Sequence, residues 1–177
     1  MEQKIIRITC NAAEHAAGIL DIFNEVIANS TALYEFAPRT MEDMHRWFRD
    51  KNERGHPVIG RVDEAGRLLG FAGYGPFRDK AACHLTVEHS LYIHHTARGR
   101  GMGTLLLRDI IDEAGSRSCH TLVGAIDAAN EASIKLHVQA GFVHAGTIRH
   151  AAYKFGRWLD LVYYQLILNP QAPAPQS

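Results

Sequence analysis

Glu88 and the glycines at 99, 101 and 103 are the residues whose types and spacing speak most directly of chemistry. Residues 84–104 read HLTVEHSLYIHHTARGRGMGT. An alternating strand runs into the loop Arg98-Gly99-Arg100-Gly101-Met102-Gly103-Thr104, and an apolar helix pattern follows at once. A strand, a glycine loop and a helix N-terminus make a cradle for an anion. Backbone N–H groups point outward, the helix dipole adds partial positive charge, and glycine lets phosphate oxygens approach the main chain. A phosphorylated ligand is the first expectation. A tight strand-to-helix turn with no ligand has the same pattern.

Along the strand, Leu85, Val87, Leu91 and Ile93 share one face, and Thr86, Glu88, Ser90 and Tyr92 share the other. The first set reads as core. The second reads as a polar face that leads to the loop, so the Glu88 carboxylate points where the ligand approaches and could take a proton from a nucleophile. A solvent-facing glutamate on a half-exposed strand gives the same signal.

The loop has rivals to separate. A GxxxxGK[ST] phosphate loop is absent. The GxGxxG dinucleotide fingerprint fails in both registers, because its third glycine falls on Thr104 or on Leu106. Asp127, at the end of the next strand, stands where a ribose-binding acid would sit and keeps that reading open. Further on, Asn130-Glu131-Ala132-Ser133-Ile134-Lys135-Leu136-His137 opens a helix. Asn130 suits an N-cap, and its amide could equally reach a ligand. His137 matters to chemistry only if this helix borders the same cleft as Glu88.

The elements that must position these residues follow from periodicity and punctuation. Residues 4–9 read as a strand. Residues 13–28 read as an amphipathic helix carrying Ile19, Leu20, Phe23, Val26 and Ile27. Residues 29–39 are a loop. Thr40 caps a second helix that runs to Arg54-Gly55. Pro57–Val62 and Arg67–Tyr74 form a hairpin-like pair, Phe77–Ala82 a polar loop, and His84–Ile93 the strand already described. A helix, a buried strand at Thr121–Ile126, the Asn130 helix ending at Gly141, and strands at Phe142–His150 and Trp158–Leu168 complete the chain. The order is β-α-α-β-β-β-α-β-α-β-β. The expected class is α/β (α+β), one mixed sheet with helices on both faces. The two strand–helix crossings after residue 93 imply locally parallel strands. Residues 1–168 read as one domain, and 169–177 (NPQAPAPQS) as a tail too polar and proline-rich to pack.

Composition narrows the classes. The chain has 177 residues and a formal net charge of +0, without the basic excess of a nucleic-acid or membrane-surface protein. No apolar run is long enough for a membrane span, and Met1–Arg7 lacks a signal-peptide pattern. Three scattered cysteines (Cys10, Cys83, Cys119) suggest neither a disulfide framework nor a zinc ribbon. Eleven histidines occur without a metal-ligand spacing, so no metal is expected. A cytoplasmic enzyme or binding protein is the expectation.

With these residues in hand, the chain resembles the GCN5-related N-acetyltransferases. Arg98-x-x-Gly101-x-Gly103 after an alternating strand is similar to that superfamily's acyl-CoA signature, and Asn130…Gly141-Phe142 is similar to its next motif. Within it, Ser30-Thr31-Ala32, Trp47-Phe48, Pro76-Phe77-Arg78, Thr86-Val87-Glu88-His89-Ser90, Leu136-His137 and Lys154–Asp160 resemble the phosphinothricin and methionine sulfone acetyltransferase group. The resemblance covers residues 4–168.

It implies acetyl-CoA as co-substrate. Leu91, Tyr92 and Ile93 would line the acetyl and pantetheine arm. Arg98, Gly99, Arg100, Gly101, Met102, Gly103 and Thr104 would hold the pyrophosphate, with Asn130 and Ser133 beside the pantetheine. Glu88 would be the general base, and His137 the acid or a holder of the CoA sulfur end. Phe77, Arg78, Thr86 and Val87 would shape the pocket for a small amino-acid-like amine. Cys83 and Tyr34-Glu35-Phe36 depart from the group and could line that pocket. The resemblance also implies a homodimer, with Lys154–Asp160 near the partner. An acetyltransferase of another amine and a non-catalytic CoA-binding module are the alternatives.

Overall fold

The computed structural model of the chain describes residues 4–170. The elements are β1 (Ile6–Thr9), α1 (Ala12–Asn29), α2 (Met41–Glu53), β2 (Val58–Val62), β3 (Leu68–Pro76), β4 (Thr86–Ile93), α3 (Met102–Ser116), β5 (Thr121–Asp127), α4 (Glu131–Gln139), β6 (Val143–Lys154) and β7 (Arg157–Ile167). The order is the one expected. Of the proposed tail, Asn169 and Pro170 follow β7 outside any strand, and the remainder lies outside the described residues.

Local chemistry starts the helices. Asn11 accepts the Glu14 N–H before α1, and Thr40 and Asp43 form a reciprocal capping box before α2. Asn130 accepts the Ser133 N–H before α4. Helix α3 starts differently. Its cap is Gly101 with φ 75° and no side-chain hydrogen bond, so the first-turn N–H groups are left without an intrahelical partner.

The strands form one seven-stranded sheet in the order β1-β2-β3-β4-β5-β7-β6. Only β4 and β5 pair in parallel. The first strand–helix crossing thus gives the parallel neighbours expected, and the second does not. The crossing through α4 carries the chain past the neighbouring position to the sheet edge, and β7 then returns antiparallel between β5 and β6.

Alternation along the strands divides the core into two. Ile59, Ala72 and Val87 pack with Leu106, Leu107 and Ile110 of α3 on one face. Val58 and Phe71 pack with Ile19, Phe23, Met44 and Phe48 of α1 and α2 on the other. Tyr92 belongs to this second core, its ring 5.2 Å from Phe23 and 5.5 Å from Phe71. The polar face of β4 is therefore limited to Thr86, Glu88 and Ser90, because α1 covers the end of that strand.

One irregularity of the sheet makes the site. β4 and β5 are paired only from Thr86↔Thr121 to His89↔Gly124. Beyond that point β4 stays with β3 as far as Ile93, and β5 stays with β7 as far as Asp127. The two parallel strands part, and each leaves backbone groups facing the gap.

Candidate functional site

The gap opens into a cleft of about 740 Å³. Its size suits a small-molecule site. Glu88, Leu91, Tyr92, Ile93, Arg98, Gly99, Asn130, Ser133 and His137 all border it, so β4 and α4 do reach the same cavity.

On the α3 and α4 side the cleft is bordered by Arg98 and Gly99 and by Asn130, Ser133, Leu136 and His137, and Gly101 to Gly103 follow just beyond this lining. Gly99 and Gly101 have φ of 74° and 75°, and a Cβ added at either would meet nothing within 4 Å. Their glycine identity answers to conformation, and the space beside them is open. Arg100 is exposed, while Met102 is 2% exposed and sends its side chain into the core, leaving its N–H in the first turn of α3. Gly103 lets α3 close on its neighbours: a Cβ there would lie 3.1 Å from Leu136 and 3.4 Å from Ile93. Thr104 borders a separate hollow of about 250 Å³ between α3 and α4. Arg98 is already engaged. Its guanidinium pairs with Glu25 of α1, and its Nε donates to the Ile93 carbonyl at 3.3 Å. The Asn130 Oδ1 caps α4, which leaves the amide Nδ2 for the cleft.

On the α1 and α2 face the walls are side chains. Glu88 is half-buried, and burial pushes its carboxyl above the usual glutamate range. No ion pair or side-chain hydrogen bond among the described residues ties it down. Loop residues Thr31, Leu33 and Tyr34 stand across the cleft with Asp127 and Tyr163. Asp127 is 5% exposed and accepts from the Thr31 hydroxyl, the Ala129 N–H at 3.0 Å and Arg157 at 3.2 Å. Burial alone would raise its carboxyl; these bonds and the Arg157 charge outweigh burial and hold it low. The ribose-acid reading of Asp127 gives way here, since its oxygens are bonded within the chain.

Under the fork of the strands lies a pair of histidines. The His89 and His137 rings stack with centroids 5.1 Å apart and Nε2 atoms 3.2 Å apart. His137 Nδ1 is 2.7 Å from the Ser133 carbonyl, which can only accept, so Nδ1 carries the ring proton. In the neutral ring Nε2 is then an acceptor, and His89 Nε2–H donates to it. His89 Nδ1 is left as a buried lone pair without a partner among the described residues. Burial and the neighbouring His137 push His89 down to about 3, and burial also lowers His137 against the pull of the Ser133 carbonyl. Gly124 makes room for both rings: a Cβ there would lie 3.0 Å from each Nε2. The acid role implied for His137 therefore lacks geometric support, because the neutral ring turns its proton into α4 and not toward the cleft.

Of the residues expected to shape the acceptor pocket, Val87 points elsewhere and the others stand at or beyond the margin of this cleft. Val87 is 4% exposed and packs in the α3-side core, since odd positions of β4 face that way. Arg78 is exposed, 5.9 Å over the Phe77 ring, and Phe77 reaches the cleft only through an edge contact with Tyr163 at 6.4 Å. Thr86 and Cys83 lie before the strands part, outside the cleft wall, whereas Tyr34 does line it. Tyr163, His89 and Gly124 carried no local signal of a site, and Asp127 signalled only a ribose-binding acid. Their roles depend on which strands become neighbours.

An unzipped parallel strand pair, a glycine-capped helix N-terminus on one side and a free carboxylate on the other find a match among known proteins. Residues 20–142 match the Acetyltransferase (GNAT) family. The chain belongs to that family. Among GNAT relatives, it is 40% identical over 158 residues to the L-methionine sulfoximine/L-methionine sulfone acetyltransferase of Pseudomonas aeruginosa, covering 89% of this chain and 92% of that one. It is 31% identical to the phosphinothricin N-acetyltransferase of Streptomyces coelicolor, covering 90% and 95%. The GNAT phosphinothricin acetyltransferase of Sinorhizobium meliloti, solved in complex with acetyl-CoA, superposes with a TM-score of 0.92 at 30% identity, covering 99% and 94%.

Proposed function

We propose that this GNAT enzyme transfers the acetyl group of acetyl-CoA to the α-amine of a small amino-acid-like acceptor of the methionine sulfone, methionine sulfoximine or phosphinothricin type. The observation that carries the reading is the parting of β4 and β5, which opens a cleft bordered by Glu88 on one side and by Arg98 and Gly99, the start of the loop into α3, on the other. The first-turn N–H groups after Gly101 suit the pyrophosphate, and the unpaired edge of Leu91–Ile93 suits the amide-bearing arm as an added strand. Asn130 and Ser133 stand beside that arm.

The acceptor comes from the α1 and α2 face. An α-amine with a pKa of about 8 arrives mostly protonated at neutral pH. Glu88, tuned upward by burial, takes that proton and leaves a nucleophile. The amine attacks the thioester carbonyl, whose developing oxyanion faces backbone N–H groups of β4 near Ile93. The C–N bond forms, the C–S bond breaks, and the second proton lost by the nitrogen goes to the departing thiolate. This balance needs no separate acid, in keeping with an imidazole pair that offers no proton to the cleft. His137 then acts by packing, with His89 and Phe142, beneath the sulfur end of the arm.

The finer reading is a cytoplasmic homodimer. Three free thiols, Cys10, Cys83 and Cys119, suit a reducing compartment. Exposed Ile148, Tyr153, Phe155 and Trp158 on the β6–β7 hairpin offer an apolar face for a second copy. Light scattering that gives a dimer mass supports this; a monomer mass at micromolar concentration overturns it. The acceptor is tested by following thiol release from acetyl-CoA with L-methionine sulfone, L-methionine sulfoximine, L-phosphinothricin and peptide amines. Turnover confined to the amino acids is expected. Turnover with peptides alone, or with none of them, overturns the proposal.

A further inference from the structure

Lys154 closes β6 and is 4% exposed, yet among the described residues it forms no ion pair. Its ammonium donates to the carbonyl oxygens of Ile27 and Ser30 at 2.8 Å and of Leu33 at 2.7 Å. An ammonium has three protons, and all three are used. Ile27 lies in the last turn of α1, where carbonyls lack intrahelical partners and the helix dipole favours a cation. Ser30 and Leu33 belong to the loop after α1 that walls the cleft on the Glu88 side. A buried charge persists only where bonds replace its lost hydration, so this arrangement is built and specific.

The loop does little to hold itself. Within Ser30–Tyr34 the internal bond is Ala32 N–H to the Ser30 hydroxyl, at 3.0 Å. The residues on either side of the turn between β6 and β7 supply further anchors. Two residues after Phe155, Arg157 reaches Asp127, which in turn accepts from the Thr31 hydroxyl. One short turn thus grips the loop twice, by its backbone through Lys154 and by a side chain through Asp127.

We propose that Lys154, supported by Arg157, is a positioning residue for the acceptor: its ammonium fixes the Thr31–Tyr34 wall against which the amino-acid substrate is held. This rests on the reading of the Glu88 face as the acceptor side. The three carbonyls that Lys154 binds belong to no residue assigned to acetyl-CoA, so acetyl-CoA binding should not depend on its ammonium.

The test is Lys154→Met, which keeps the stem and removes the donor, with Lys154→Gln as partial rescue. Lys154→Met is expected to raise KM for L-methionine sulfone about tenfold or more while KM for acetyl-CoA stays within about twofold, and Lys154→Gln should recover part of the loss. Amide exchange without any substrate should quicken in residues 30–34 more than elsewhere. If Lys154→Met does not fold, Arg157→Gln, at a half-exposed position, should raise the acceptor KM about threefold with the same selectivity. An unchanged acceptor KM in a folded variant, or both KM values rising together, overturns the inference. Should the wild type acetylate none of the amines, the functional reading fails, and exchange alone decides the grip: unchanged exchange at 30–34 overturns it.

Discussion

The two faces of the parted strands are built from different materials. Toward α3 the material on offer is main chain: glycines at positive φ, a helix start without a side-chain cap and an unpaired strand edge. Toward α1 and α2 it is side chains gathered from distant parts of the chain, with Thr31, Asp127 and Arg157 in one network and Lys154 bonded to the end of α1. A backbone wall reads shape and charge common to one ligand, and it tolerates change wherever φ permits. A side-chain wall can be retuned residue by residue. On the proposed reading acetyl-CoA takes the first face and the amine acceptor the second.

The largest effect that could break this comparison comes from the backbone wall. Gly101→Val forces a β-branched residue into φ 75° at the cap of α3. We expect acetyl-CoA affinity to fall by about 10²-fold or more with the fold intact. Wild-type affinity by calorimetry would remove that face from acetyl-CoA binding.

A smaller effect is expected at the fork itself. Gly124→Ala places a methyl 3.0 Å from both imidazole Nε2 atoms. The pair must shift, costing about 1–3 kcal/mol of stability by thermal unfolding. Turnover should fall about tenfold, since the fork serves both substrates. Loss of stability with unchanged turnover would separate the histidine pair from the reacting groups.

The smallest effect is a pH dependence. His89 is held near 3 in the folded chain, against an ordinary histidine value of about 6.5. Between those values the unfolded chain binds the extra proton. Stability is therefore complete above about 6.5 and declines as pH falls toward 3. His89→Phe should flatten this decline between about pH 7 and 5 in thermal scans. An identical slope in the variant would show that other groups carry it.

The same contrast explains what could be read from the residues alone. The glycine loop, the Thr40 capping box and the Asn130 cap are local, so their chemistry shows in a few adjacent positions. Glu88 could be assigned to a face because a strand has period two. That logic failed for Tyr92, whose environment is set by α1, and it passed over His89, which shares the odd face with core residues. Val87 was placed in the acceptor pocket by resemblance, and the strand register puts it in the α3-side core. The grip of Lys154 on Ile27 joins residues 127 apart, so no local pattern records it.

The central claim is that Glu88 serves the acceptor and not acetyl-CoA, and Glu88→Gln measures it most directly. At saturating acetyl-CoA with L-methionine sulfone, we expect kcat to fall about 10²-fold while the acetyl-CoA dissociation constant stays within about twofold. In the wild type, kcat/KM should rise with pH through a Glu88 pKa above the ordinary glutamate value, and the variant should lose that limb. An unchanged kcat and pH profile in Glu88→Gln would contradict the account.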